Sequence, residues 1–128
     1  MTEPIVFISQ FRILEGKRTD VESMFVHAVD LIGSTKPRTA LYAAFVDENG
    51  TQARIVHAFA DAAAMASHFE GSDDRGKSLS DLMVLTGFEV YGRAPDAAVD
   101  QLRREAAAGD VGLEVYPEFL GGFIRAPS

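Results

Sequence analysis

The chain contains no cysteine and no tryptophan. Without cysteine there is no disulfide, no thiolate nucleophile and no cysteine-ligated zinc. Basic residues are also scarce: 12 Lys and Arg stand against 19 Asp and Glu, a formal net charge of −7. A nucleic-acid partner needs a concentrated basic surface, so none is expected. The adjacent pairs Lys17-Arg18 and Arg103-Arg104 lie in helical patterns with acids nearby and read as solvated helix faces. No apolar run approaches the roughly 20 residues that span a bilayer. The N-terminus lacks the basic lead and long apolar stretch of a secretory signal. A cytoplasmic protein without a membrane partner is expected. Missing too are a Gly-x-Ser-x-Gly elbow, a phosphate-cradling glycine loop and a dinucleotide fingerprint.

What remains is an order of segments. The 128 residues, 47% hydrophobic, suit a single domain with a real core. Residues 5–13 alternate as a strand that is apolar on both sets: Ile5, Phe7, Phe11 and Ile13 on one, Val6 and Ile8 with Gln10 and Arg12 on the other. Residues 18–32 carry a helical stripe of Val21, Met24, Phe25, Ala28, Val29 and Ile32. Thr19 and Glu22 have capping-box spacing, with a start near Lys17 left open. Gly33 and Pro37 are stop signals. Two β-type runs, 41–46 and 53–59, flank Asn49-Gly50, which predicts a type I′ hairpin. Asp61 can cap a second helix. Its stripe breaks at 71–76, an expected exposed loop, and resumes at Leu79, Leu82 and Met83. Residues 87–93 form a fourth strand pattern. A helix over 95–108 and one or two edge strands in 113–125 complete the chain. The order βαββαβ predicts an α+β, ferredoxin-like antiparallel sheet with helices on one face. Helices on one side leave the other bare, so a homodimer is expected.

The residues also resemble a known family. The stretches Phe11-Arg12-Ile13 with Glu15-Gly16-Lys17, the Asp47 to Gly50 hairpin, Met65-Ala66-Ser67-His68-Phe69 and Phe88-Glu89-Val90-Tyr91-Gly92 are similar to those of the dimeric α/β-barrel superfamily, specifically its antibiotic biosynthesis monooxygenase-like (quinol monooxygenase-like) proteins. The resemblance covers residues 4–93 of the single domain 1–128; 94–128 looks like an extension. It implies a homodimer whose sheets stack into a barrel, a small-molecule pocket between sheet and helices, and activity on small aromatics or quinols without a cofactor. The haem-degrading branch characteristically uses Trp with Asn and His. This chain has no Trp, and its one Asn, Asn49, lies in the hairpin turn. Haem degradation is not expected.

Two histidines are the candidate catalytic residues. His57 alternates with Ile55 and Phe59, so it points to the helix-covered face. His68 lies one turn after Met65, beside the buried stripe of its helix. A histidine there suits a general base toward a phenolic proton, because its ordinary pKa lies near neutrality. The plainer reading is a satisfied core His57 and a half-exposed His68. Expected pocket residues are Phe7, Phe11, Phe25, Ile55, Phe59 and Phe69, with Tyr42 able to serve either face. His27 lies off the apolar stripe and reads as a surface residue. A metal triad of His57, His68 and Glu89 is not expected, since Glu89 alternates to the other face with Tyr91 and Arg93. On that face Arg12 and Glu89 are candidates to pair across the first and fourth strands. A non-catalytic small-molecule-binding or stress-response dimer of the same fold is the alternative function.

Overall fold

The structure, a computed structural model, describes residues 3–70 and 79–125. Its elements in chain order are β1 (Ile5–Ile13), α1 (Arg18–Thr35), β2 (Thr39–Val46), β3 (Gln52–Phe59), α2 (Ala62–Phe69), β4 (Met83–Tyr91), α3 (Asp96–Ala108) and β5 (Gly112–Tyr116). The strands form one sheet in the order β2-β3-β1-β4-β5. β1 is central and antiparallel to β3 and β4, β2 is antiparallel to β3, and β5 is parallel to β4. Parallel neighbours need a crossover, and α3 supplies it. The predicted ferredoxin-like order is therefore present, with the extension adding one helix and one edge strand. The sheet is open: a single chain does not close a barrel.

Alternation decides which face is covered. Ile5, Phe7, Ser9, Phe11 and Ile13 of β1 are all buried beneath the helices. Two apolar clusters lie there. One joins Ile5, Phe7, Phe59, Phe88 and Val90 to Met65 of α2 and Ala98, Leu102 and Ala106 of α3. The other joins Phe11, Ile13, Ala53, Ile55 and Met83 to Val21 and Phe25 of α1. The opposite face carries Leu41, Phe45 and Val84, all exposed. Tyr91 lies on that face too and stacks on Tyr116 at 5.1 Å. Its partial burial, with Glu89 beside it, pushes the phenol pKa up.

Local chemistry departs from expectation at several points. The capping box at Thr19 does not form: α1 starts at Arg18 behind Lys17, with no side-chain cap, and Glu22 instead pairs with Arg18 Nε at 2.8 Å. The i,i+4 ion pair competes for the same carboxylate. The helix also runs through Gly33, and the Ser34 and Thr35 hydroxyls bond back to the Asp30 and Leu31 carbonyls. Val29, at the outer edge of the stripe, is 48% exposed. Of the resumed helical stripe Leu79 is helical, but Met83 opens β4, so the strand begins four residues earlier than its sequence pattern. The expected loop at 71–76 lies outside the described residues. Pro95 sits at the N-cap of α3, one position before the helix. At Gly92 the chain turns between β4 and α3 with φ +101°, and a Cβ there would lie 2.8 Å from the Pro4 carbonyl oxygen, so only glycine fits.

The hairpin is real but not type I′. Gly50 has φ +73° whereas Asn49 keeps a negative φ. The Gly50 N–H bonds to the Asp47 carbonyl at 3.1 Å. This is a wider turn whose last residue is left-handed. Asp47 organises it: its Oδ1 accepts from the Thr51 N–H at 3.0 Å and the Gln52 N–H at 3.1 Å. Those donors, Gln52 first, hold its carboxyl below the ordinary value of 3.8. The charge therefore stabilises the fold above 3.8, and that contribution is lost as pH falls through the lower folded value. Asp47→Asn keeps an acceptor but not the charge. Urea midpoints measured from about pH 6 to about pH 2 are expected to converge for wild type and variant at the acid end. A constant difference would assign the effect to something other than this carboxylate.

Candidate active site

Two short-range devices hold α2 in place. Asp61 caps its N-terminus, accepting from the Ala64 N–H at 2.8 Å, and is itself paired with Arg38 at 3.2 Å. At the other end Lys36 Nζ donates to the Ser67 and Glu70 carbonyls, both at 2.9 Å. A cation there adds a bond to the Ser67 carbonyl, which already accepts the Glu70 N–H, and suits the helix dipole. An eight-residue helix pinned at both ends presents Ala64, Met65 and His68 inward. His68 is buried, not half-exposed, and its Nδ1 lies 2.8 Å from Thr39 Oγ1 at the start of β2.

The neighbouring strand supplies the second histidine. His57 on β3 faces the helices, opposite Phe7 of β1 and Tyr42 of β2. Its Nδ1 lies 3.1 Å from the Phe7 carbonyl oxygen. A carbonyl only accepts, so Nδ1 carries the proton and, in the neutral ring, Nε2 is the basic nitrogen. Phe7 stacks on the imidazole at 4.5 Å. The His57 and His68 rings meet edge to face at 5.1 Å, with Tyr42 at 5.2 Å from His57.

Both histidines line a cavity of about 410 Å³ between the sheet and the helices. Its floor is Phe7, Ser9, Phe11, Ile55 and His57; Tyr42, His68 and Phe69 form one wall. Met24, His27, Ala28 and Leu31 of α1 form another, and Gln101, Leu102 and Glu105 of α3 close the far side. Exposed lining residues, among them His27, Leu31, Ser80 and Glu105, frame the mouth. Expectation and structure thus agree on Phe7, Phe11, Tyr42, Ile55, Phe69, His57 and His68 as residues brought together. Phe25 and Phe59 are corrected: neither is part of the cavity wall. Phe25 is locked into the α1 cluster, and Phe59 is fully enclosed behind His68, 5.2 Å from its ring. His27 is exposed, as expected, yet reaches the mouth.

The sequence pattern of α1 hid a second stripe. Met24, His27, Ala28 and Leu31 follow i, i+3, i+4, i+7 spacing and line the cavity, with Met24 and Ala28 packed against the α1 cluster as well. Ser9 leaves no mark in the pattern either, because one small polar residue in an apolar strand carries no periodic signal. Arg12 and Glu89 do not pair. Glu89 stands opposite Ile8, and Arg12 opposite Val84 at the far end of β1. A bulge between Gln10 and Phe11 leaves Thr86 without an opposite residue. Among the described residues no group of three or more His, Asp or Glu is arranged to hold a metal ion, and no helix is long and apolar enough to cross a membrane.

No protein-family model and no curated protein matches the sequence. Solved structures do match the fold. MupZ from Pseudomonas fluorescens superposes with a TM-score of 0.67 at 18% identity, covering 97% of this chain and 96% of that one. That coverage necessarily takes in most of the α3–β5 extension. SnoaB from Streptomyces nogalater, a cofactor-independent oxygenase, matches with a TM-score of 0.58 at 13% identity over 70% of this chain and 91% of its own. A putative antibiotic biosynthesis monooxygenase from Chloroflexus aurantiacus gives 0.55 at 14% identity, covering 69% and 90%. At these identities the likeness is one of fold.

Proposed function

The chain has the fold of the antibiotic biosynthesis monooxygenase-like proteins, and from that premise we propose that it is a cofactor-independent monooxygenase-like enzyme acting on a small aromatic or quinol. The observation that carries this reading is the pair of buried histidines, 5.1 Å apart, on the wall of an otherwise largely apolar cavity. An apolar pocket with a few convergent polar groups is the usual form of a small-molecule site. The Phe7 carbonyl fixes the His57 tautomer, so Nε2 is the nitrogen that takes a phenolic proton. Deprotonation makes the ring electron-rich enough to reduce dioxygen itself. A hydroquinone and O₂ then give a hydroxyquinone and water, and the substrate supplies every electron. His68, set by Thr39, steadies the neighbouring oxygen.

The active form is a homodimer in this reading. Leu41, Phe45 and Val84 on the bare sheet face, and Leu120 and Phe123 in the C-terminal arm, are too apolar to stay in water. A second copy covers them. Sedimentation at micromolar concentration is expected to give twice the 13.9 kDa chain mass, and a lone 13.9 kDa species would overturn the assembly. The catalytic reading is tested with an oxygen electrode and a panel of naphthohydroquinones and phenols. Uptake that needs the native protein supports it. No turnover on any of them leaves a binding module of the same fold.

A further inference from the structure

Three side chains with polar groups are buried among the described residues, Ser9, His57 and His68, and all three line the same cavity. The two histidines have partners. Ser9 does not: among the described residues nothing hydrogen-bonds its hydroxyl. It is 5% exposed, and its oxygen is not fully enclosed, so it opens into the cavity. Its place explains why. The inward set of β1 reads Ile5, Phe7, Ser9, Phe11, Ile13. Ile5 and Phe7 belong to the cluster under α2 and α3, Phe11 and Ile13 to the cluster under α1. Ser9 belongs to neither and sits on the seam between them, at the floor of the cavity. It pairs with Ile55 of β3 and Phe88 of β4, one inward step from the Phe7–His57 pair. An apolar residue there would simply fuse the two clusters. A hydroxyl in that position has no protein partner and opens into the cavity, so it is available to bond whatever occupies that space, and an apolar occupant would leave it unpaired.

We infer that Ser9 is a specificity-determining anchor, whose hydroxyl bonds an oxygen substituent of an aromatic ligand and fixes that ring with the oxygen-bearing edge on the sheet floor beside His57. This deepens the aromatic-pocket reading and rests on it. The ligand class is a phenol, naphthol or quinol, not a bare hydrocarbon. A site built to bond a hydroxyl rejects the analogue that lacks it, because its own polar group is then left unpaired.

The test compares 1-naphthol with naphthalene by equilibrium dialysis against the full chain. Wild type is expected to hold 1-naphthol about 5-fold more tightly, the size of one neutral hydrogen bond. In Ser9→Ala that preference is expected to collapse toward one, while naphthalene binds as well as before or better. Ser9→Thr, which keeps the hydroxyl, retains a preference. A preference that survives intact in Ser9→Ala overturns the anchor and assigns recognition to the histidines. Equal loss of both ligands overturns it too, since that marks a packing role. If wild type binds neither probe, the aromatic pocket falls and the anchor with it. If the preference depends on Ser9 but no quinol is turned over, the anchor stands and the monooxygenase reading fails.

Discussion

Quinol-dependent oxygen uptake is expected to fall by about 10²–10⁴-fold in His57→Ala, the usual contribution of a positioned general base. The expectation follows from one hydrogen bond. With Nδ1 donating to the Phe7 carbonyl, the ring cannot flip without losing that bond, so Nε2 stays the unprotonated nitrogen of the neutral ring, the one the proposed mechanism uses. Alanine also empties space under Phe7, so a second variant is needed. His57→Asn places an amide N–H near the Nδ1 position and can keep the bond to Phe7, yet it has no basic nitrogen. It is expected to fold like wild type and lose the same activity. Added imidazole should restore part of the His57→Ala rate and none of the His57→Asn rate, because only the first leaves room for it. His68→Asn is expected to lose less, since its partner is a hydroxyl that serves either tautomer. Full activity in both His57 variants would move the base elsewhere.

Phe59→Ala is expected to cost about 3–5 kcal/mol of unfolding free energy, as for other large-to-small core changes. Phe59 is 0% exposed and stands between Ile5 of β1 and Thr39 of β2 in the sheet. Its ring lies 5.2 Å from the His68 ring and 6.4 Å from that of His57. The void would therefore open directly behind the histidine pair. Urea unfolding reads the stability term, and oxygen uptake measured well below the transition reads the effect on the site. Phe59→Leu refills most of the space and is expected to cost under about 1.5 kcal/mol. A loss in Phe59→Ala no larger than that of Phe59→Leu would mean that α2 collapses onto the gap.

Periodicity made the architecture legible from the residues alone. The period-two pattern of 5–13 and the helical stripe anchored on Val21, Phe25 and Ile32 are consequences of burial against one layer, and burial is what holds these elements together. The same logic sent His57 inward and Glu89 outward. It failed where several local solutions compete for one group. Glu22 had two partners within reach and took Arg18 rather than the Thr19 backbone. Asn49 was free to adopt positive φ, but Asp47 ordered the turn around Gly50 instead. Strand register was beyond reach too, because a bulge at Gln10 and Phe11 leaves no mark in a hydrophobic pattern. For the cavity, alternation names the residues on a face but not their depth. Phe59 and Phe7 share a face, yet one is sealed beneath α2 and the other touches open space.

The crossover helix between the two parallel strands has a consequence for selectivity. Gln101, Leu102 and Glu105 come from a stretch appended after the four-stranded core, whereas both imidazoles and the serine come from the core itself. The buried polar groups and the far boundary of the chamber are therefore encoded separately. Substitutions along one face of that appended rod can lengthen, shorten or recharge the chamber while His57, His68 and Ser9 keep their geometry.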